Sequence, residues 1–136
     1  MPSKLRIYSD GGARGNPGPA AIGVLICDEK DMELQDHKET IGDTTNNVAE
    51  YTAVIVGLEM AKKMGAQEVD YFVDSELVVK QISGLYRVKT PHIQVLHKKA
   101  KDQIAHFKKV KFTHVPREHV RLRYVDKLVN EALDGY

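Results

Sequence analysis

The strongest constraint on how this chain folds is a run of three β-patterned segments near its start, followed by alternating helix and strand patterns. Leu5-Arg6-Ile7-Tyr8-Ser9-Asp10 alternates apolar and polar residues, as a half-buried strand does. Gly11-Gly12 and Gly15-Asn16-Pro17-Gly18-Pro19 then break the pattern with turn chemistry. Ala20 to Cys27 is a near-continuous apolar run, suited to a buried strand. Met32 to Ile41 is more polar and suits an edge strand, with Asp28-Glu29-Lys30-Asp31 as the hairpin between. Asn46 to Met64 predicts a helix, with Val48, Tyr51, Val54, Leu58 and Ala61 at helical spacing and Gly65 as its stop. Val69–Asp74 reads as a strand, Ser75 to Gly84 as a short helix, and Thr90-Pro91 as the start of another helix. Val110–Val115 reads as a strand and Tyr124–Leu133 as a final helix. This order predicts an α/β fold. Its sheet is five-stranded and mixed, an antiparallel three-strand meander joined by parallel strands, with helices on its faces.

At 136 residues the chain is the size of one domain, so residues 1–136 are read as a single unit. With 42% hydrophobic and 29% charged residues it can bury a core, which excludes a disordered or collagen-like chain. Cys27 is the only cysteine, so there is no intrachain disulfide and no cysteine-built zinc site. No apolar run approaches the roughly 18 residues of a membrane span. These features predict a reduced, cytoplasmic protein with no membrane association, and the absence of a long apolar surface stripe predicts a monomer. The net charge of +1 hides a division. Residues 1–75 hold seven basic and thirteen acidic residues, whereas residues 76–124 hold twelve basic and three acidic. That basic stretch reads either as a solvated face or as a side that meets a polyanion such as a phosphate backbone.

Four carboxylates occupy positions where strands end or helices begin. Asp10 ends the first strand, Glu50 lies near the start of the long helix, Asp74 ends the fourth strand, and Asp126 is placed in the first turn of the last helix. Each has a plain structural role open to it. Asp10-Gly11 could make a turn, Glu50 could close a capping box with Asn47, Asp74 or Ser75 could cap a helix, and Asp126 could complement a helix dipole. Together they suggest more, because sites in α/β sheets form at the carboxyl ends of strands. If the strands of Asp10 and Asp74 are neighbours, the acids converge and repel. Hard divalent cations relieve such repulsion. Two of them about 3.5–4 Å apart suit attack of water on a phosphodiester.

These residues carry a resemblance. Tyr8-Ser9-Asp10-Gly11-Gly12-Ala13-Arg14-Gly15-Asn16-Pro17-Gly18-Pro19, Thr45-Asn46-Asn47-Val48-Ala49-Glu50-Tyr51, Val73-Asp74-Ser75-Glu76-Leu77-Val78-Val79, and Val115-Pro116-Arg117-Glu118 with Asp126-Lys127-Leu128 and Asn130 together resemble type 1 ribonuclease H, in its compact archaeal and bacterial form. The resemblance runs from about Lys4 to Leu133. It implies a ribonuclease H-like fold and a metal-dependent endonuclease that hydrolyses the RNA strand of RNA–DNA hybrids, leaving 3′-hydroxyl and 5′-phosphate ends. Asp10, Glu50, Asp74 and Asp126 are then the catalytic and metal-binding set for two Mg²⁺ ions, with Mn²⁺ as a substitute. Gly11, Gly12, Ala13, Asn16, Thr45, Asn46, Asn47 and Glu76 are the implied contacts to the hybrid. The bare Gly11 and Gly12 would let the RNA strand come close, and the 2′-hydroxyl is what distinguishes RNA from DNA. The family also has a loop residue that assists catalysis or product release, for which His119 and Arg117 are the candidates here. Two positions depart from the common pattern. Glu76 stands where many members have Gln, and Asp43 where some have an Arg of the phosphate pocket. The competing readings are a non-catalytic nucleic-acid-binding module and a related nuclease acting on double-stranded RNA or DNA.

Overall fold

The computed structural model describes residues 3–135. Its elements follow the order β1 (Lys4–Ala13), β2 (Gly18–Asp28), β3 (Glu33–Thr44), α1 (Asn46–Lys63), β4 (Glu68–Val73), α2 (Glu76–Ile82), α3 (Pro91–Ile104), β5 (Lys109–His114) and α4 (Val120–Asp134). The five strands form one sheet in the order β3-β2-β1-β4-β5. The β1–β2 and β2–β3 pairs are antiparallel, and β1–β4 and β4–β5 are parallel. The predicted mixed sheet is therefore the one observed, and the polar third segment is an edge strand.

Strand alternation divides the core between the two faces of the sheet. Leu5, Ile7, Val24 and Ile26 pack with Tyr51, Val54 and Leu58 of α1 and with Ile93 of α3. Their neighbours Tyr8, Leu25 and Cys27 point the other way, onto Leu122, Val125 and Leu128 of α4. The sheet thus lies between α1–α3 and the single helix α4. Among the described residues no helix is long and apolar enough to cross a membrane.

Helix starts decide which carboxylates remain available. Thr45 is the N-cap of α1, its hydroxyl accepting from the Val48 N–H at 3.2 Å. The capping box considered for Asn47 and Glu50 is absent, because the residue three beyond the true cap is Val48. Likewise Ser75, not Asp74, caps α2, accepting from the Val78 N–H at 3.2 Å. Thr45→Ala is expected to cost about 1 kcal/mol, read as a lower urea midpoint with an unchanged m-value.

The last helix departs from the sequence reading. It starts at Val120, four residues before the expected Tyr124, with His119 as its N-cap. Asp126 therefore sits in the second turn and not the first. The early turn was hidden because Arg121 and Arg123 alternate with Val120 and Leu122, which does not read as helical, and because histidine is a weak cap signal.

Candidate metal and nucleic-acid site

β1 does not end at Asp10 as expected, because Gly11–Ala13 stay paired with β2; its parallel pairing with β4 reaches Tyr8 and Phe72, so Asp10 and Asp74 lie together at the carboxyl end of that pair. α1 lies across β1 and brings in Glu50, while α4 brings Asp126 from the opposite face. All four line one pocket of about 200 Å³, together with Gly11, Gly12, Ala13, Arg14, Arg117 and Asn130. The convergence expected from strand adjacency is present.

The electrostatics of this pocket are those of an unneutralised acidic cluster. Burial, and then the charges of Asp74, Asp126 and Glu50, push the Asp10 carboxyl from its ordinary 3.8 up to about 8. Burial also raises Glu50, against a hydrogen bond from Ser75 that lowers it. Arg117 offsets part of the charge, with Nε 3.5 Å from Asp74 Oδ2. Among the described residues no three His, Cys, Asp or Glu side chains are yet gathered tightly enough to enclose an ion. A set of four carboxylates, one of them pushed toward its neutral form by burial and by its acidic neighbours, suits a hard, oxygen-seeking divalent cation.

Asn130 is a further site residue, to which the sequence pattern assigns no role. Its Nδ2 donates to the Asp126 carbonyl at 3.0 Å and approaches Asp126 Oδ2 at 3.5 Å. Arg14 reaches Asn130 Oδ1 at 3.3 Å and Asp134 Oδ1 at 2.6 Å. The signal was available, since Asn130 lies four residues after Asp126 and so on the same helix face.

The implied substrate contacts divide into two groups. Asn46 Oδ1 accepts from the Ala13 N–H at 2.8 Å, and Asn16 Oδ1 accepts from the Asn46 N–H at 3.0 Å. These bonds tie the Gly-rich turn to the start of α1. Thr45 uses its oxygen in the cap but keeps its O–H free to donate. Asn47 Oδ1 is buried and has no partner among the described residues. Glu76 lies outside the pocket lining, exposed and paired with Lys80 at 2.9 Å. Gly11 needs a correction. The space left by its missing side chain is filled by α1, because a Cβ there would lie 2.2 Å from the Ala49 carbonyl oxygen. Only Gly12 is open, its nearest neighbour being Val129 Cγ1 at 3.9 Å.

The two loop candidates separate. Arg117 lines the pocket. His119 does not: it caps α4, its Nδ1 accepting from the Arg121 N–H at 3.1 Å, and its ring stacks on Tyr8 with centroids 5.7 Å apart.

This fold recurs in many solved structures, and the carboxylates gathered at the carboxyl ends of β1 and β4 give it the character of a nuclease. A family profile described as reverse transcriptase-like matches residues 8–132. The ribonuclease H1 of Halobacterium salinarum superposes with a TM-score of 0.93 at 36% identity, covering 98% of this chain and 99% of that one. LC11 ribonuclease H1, solved in complex with an RNA/DNA hybrid, gives 0.90 at 45% identity, covering 96% of this chain and 97% of that one. A bifunctional protein of Mycobacterium tuberculosis is 42% identical over 133 residues, which are 97% of this chain and 36% of that protein. This chain thus spans about a third of the mycobacterial relatives it matches. The chain belongs to the reverse transcriptase-like family, in its type 1 ribonuclease H branch.

Proposed function

We propose that this chain is an endonuclease that hydrolyses the RNA strand of RNA–DNA hybrids with two divalent cations, leaving 3′-hydroxyl and 5′-phosphate ends. The observation that carries this reading is the meeting of Asp10, Glu50, Asp74 and Asp126, from four separate elements, in one pocket beside the Gly11–Ala13 backbone. Divalent cations held by these carboxylates would supply an acidified water and charge neutralisation at the phosphate. The chain's own residues prepare that chemistry. Asn130 orients Asp126, Arg117 stands over Asp74 within reach of a phosphate, and the Asn16–Asn46 pair rigidifies the turn along which the RNA strand would run. The acidic β3 and the basic β5 lie at opposite edges of the sheet, and the pocket at β1 and β4 lies between them. A hybrid entering the pocket would therefore have basic side chains available for its second strand.

The hybrid bound by the LC11 relative supports the same substrate class here. We assign the work to a monomer in the cytoplasm, a setting that suits the buried free thiol of Cys27. The test is incubation with end-labelled RNA–DNA hybrid, double-stranded RNA and double-stranded DNA, in Mg²⁺, in Mn²⁺ and in EDTA. Internal cleavage of the RNA strand of the hybrid, abolished by EDTA, is the expected result. Folded protein that cuts the DNA duplex and spares the hybrid would sink the assignment.

A further inference from the structure

The first turn of α4 is fastened to the β2–β3 hairpin by a polar network that the proposed chemistry does not use. Arg121 donates through Nη2 to the Asp31 carbonyl at 2.8 Å, through Nε to Asp31 Oδ2 at 3.2 Å, and through Nη1 to Glu33 Oε1 at 2.8 Å. Tyr8 donates to the other Asp31 carboxylate oxygen at 2.6 Å. The Tyr8 ring in turn stacks on Phe72 and on His119, with centroid distances of 4.9 and 5.7 Å. Burial alone would raise the Asp31 carboxyl, but the hydrogen bonds from Tyr8 and Arg121 outweigh it and hold it low. Asp31 also adopts φ +65°, a conformation that L side chains rarely take. Its backbone and side chain are both committed to this one arrangement.

The location of this network is what matters. Arg121 precedes Asp126 by five residues, roughly 7.5 Å along the helix axis. Asp126 lines the same pocket as Asp10, Glu50 and Asp74, so the placement of this part of α4 sets its distance from them. Around Asp126 the helix rests on the sheet through Val125 and Leu128, which pack on Tyr8, Leu25 and Cys27. Gly23 lies under Val125, whose carbonyl oxygen would be 2.5 Å from a Cβ at that position. Tyr124 also donates to Asp36, and the far end of α4 is tied by the pairs Arg14–Asp134 and Lys38–Glu131, whose side chains are between 40% and 69% exposed. Exposed pairs of that kind contribute little. The Arg121 side chain is only 24% exposed and makes three polar contacts.

We propose that Arg121 and Asp31 act as a positioning clasp, holding Asp126 and the Arg117 loop at the carboxylate pocket. This inference rests on the metal-dependent nuclease reading. The test compares the full chain with Arg121→Met, which keeps the apolar stem, with Arg121→Lys, and with Arg121→Met combined with Asp31→Asn. Mn²⁺ binding is followed by electron paramagnetic resonance without substrate, hybrid cleavage by steady-state kinetics, and folding by circular dichroism.

Arg121→Met is expected to weaken Mn²⁺ binding and lower kcat by about tenfold each, the scale seen when groups supporting metal ligands are removed. KM for the hybrid should stay within about twofold, because uniform substrate binding is untouched. The double variant should be no worse than Arg121→Met, because the two residues act as one unit. Arg121→Lys should fall between Arg121→Met and the unaltered chain, and it serves alone if Arg121→Met fails to fold. Folded variants that melt earlier yet keep Mn²⁺ affinity and kcat would overturn the clasp and leave a merely structural bridge. If the unaltered chain binds Mn²⁺ but cuts no hybrid, the nuclease reading fails while Mn²⁺ binding still judges the clasp. If it binds no Mn²⁺ at all, both fall.

Discussion

Asp10→Asn is expected to slow hybrid cleavage by about a thousandfold, the upper range for losing one group that handles transition-state charge, while making the metal-free protein more stable. The second effect follows from the direction of the Asp10 shift. Its carboxyl lies at about 8 in the folded chain against an ordinary 3.8. Between these values the folded state holds a proton that the unfolded state has released. The contribution of Asp10 to stability is therefore full below the unfolded value and is lost as pH rises through about 8. Asparagine removes that slope. At pH 8, in EDTA, the variant should be more stable by on the order of 2–4 kcal/mol, and the gap should close toward pH 4. Saturating Mg²⁺ should narrow it again at pH 8, since a ligand at a hundred times its Kd stabilises by about 2.7 kcal/mol. Urea titrations of both proteins at pH 4 and pH 8, with and without Mg²⁺, read all of this. A variant less stable than the unaltered chain at pH 8 in EDTA would contradict the electrostatic account of the pocket.

Gly11→Ala should be nearly as damaging to activity, for a reason unconnected with charge. The new Cβ would lie 2.2 Å from the Ala49 carbonyl oxygen and 2.7 Å from the Glu50 N, both backbone atoms that cannot rotate away. α1 must lift off β1, carrying Glu50 with it. Overpacking of this kind costs about 3 kcal/mol, and misplacing a reacting group by an ångström costs about a hundredfold in rate. Gly12→Ala is the control. Its Cβ would find its nearest neighbours at 3.9 and 4.0 Å, so stability should change by less than about 1 kcal/mol. Any loss of activity at Gly12 would then report on the approach of the nucleic acid. Equal stability losses at the two positions would overturn the close-packing argument.

These two glycines show where sequence reading stops. Adjacent and chemically identical, they carry the same expectation of close approach to RNA. Only the fold reveals that α1 already occupies the space at Gly11. The same holds for Glu50. Asn47-Val48-Ala49-Glu50 is compatible with a capping box, and it takes the position of Thr45 at the true cap to exclude it. Asp126 lies on the expected helix but one turn further in, because the charged residues ahead of it mask the start of α4.

The sequence by itself determined the order and type of the elements, the edge position of the third strand, and the four carboxylates with their motifs. It could do so because strand alternation, helical spacing and turn residues are local properties, encoded within a few residues of where they act. Only packing brings Arg117 and not His119 to the pocket, and lets Arg121 reach back ninety residues to Asp31. Those relations depend on the packing of α4 across the sheet. Distance in space there bears no relation to distance along the chain, and the repulsion among four gathered acids exists only once the fold has gathered them.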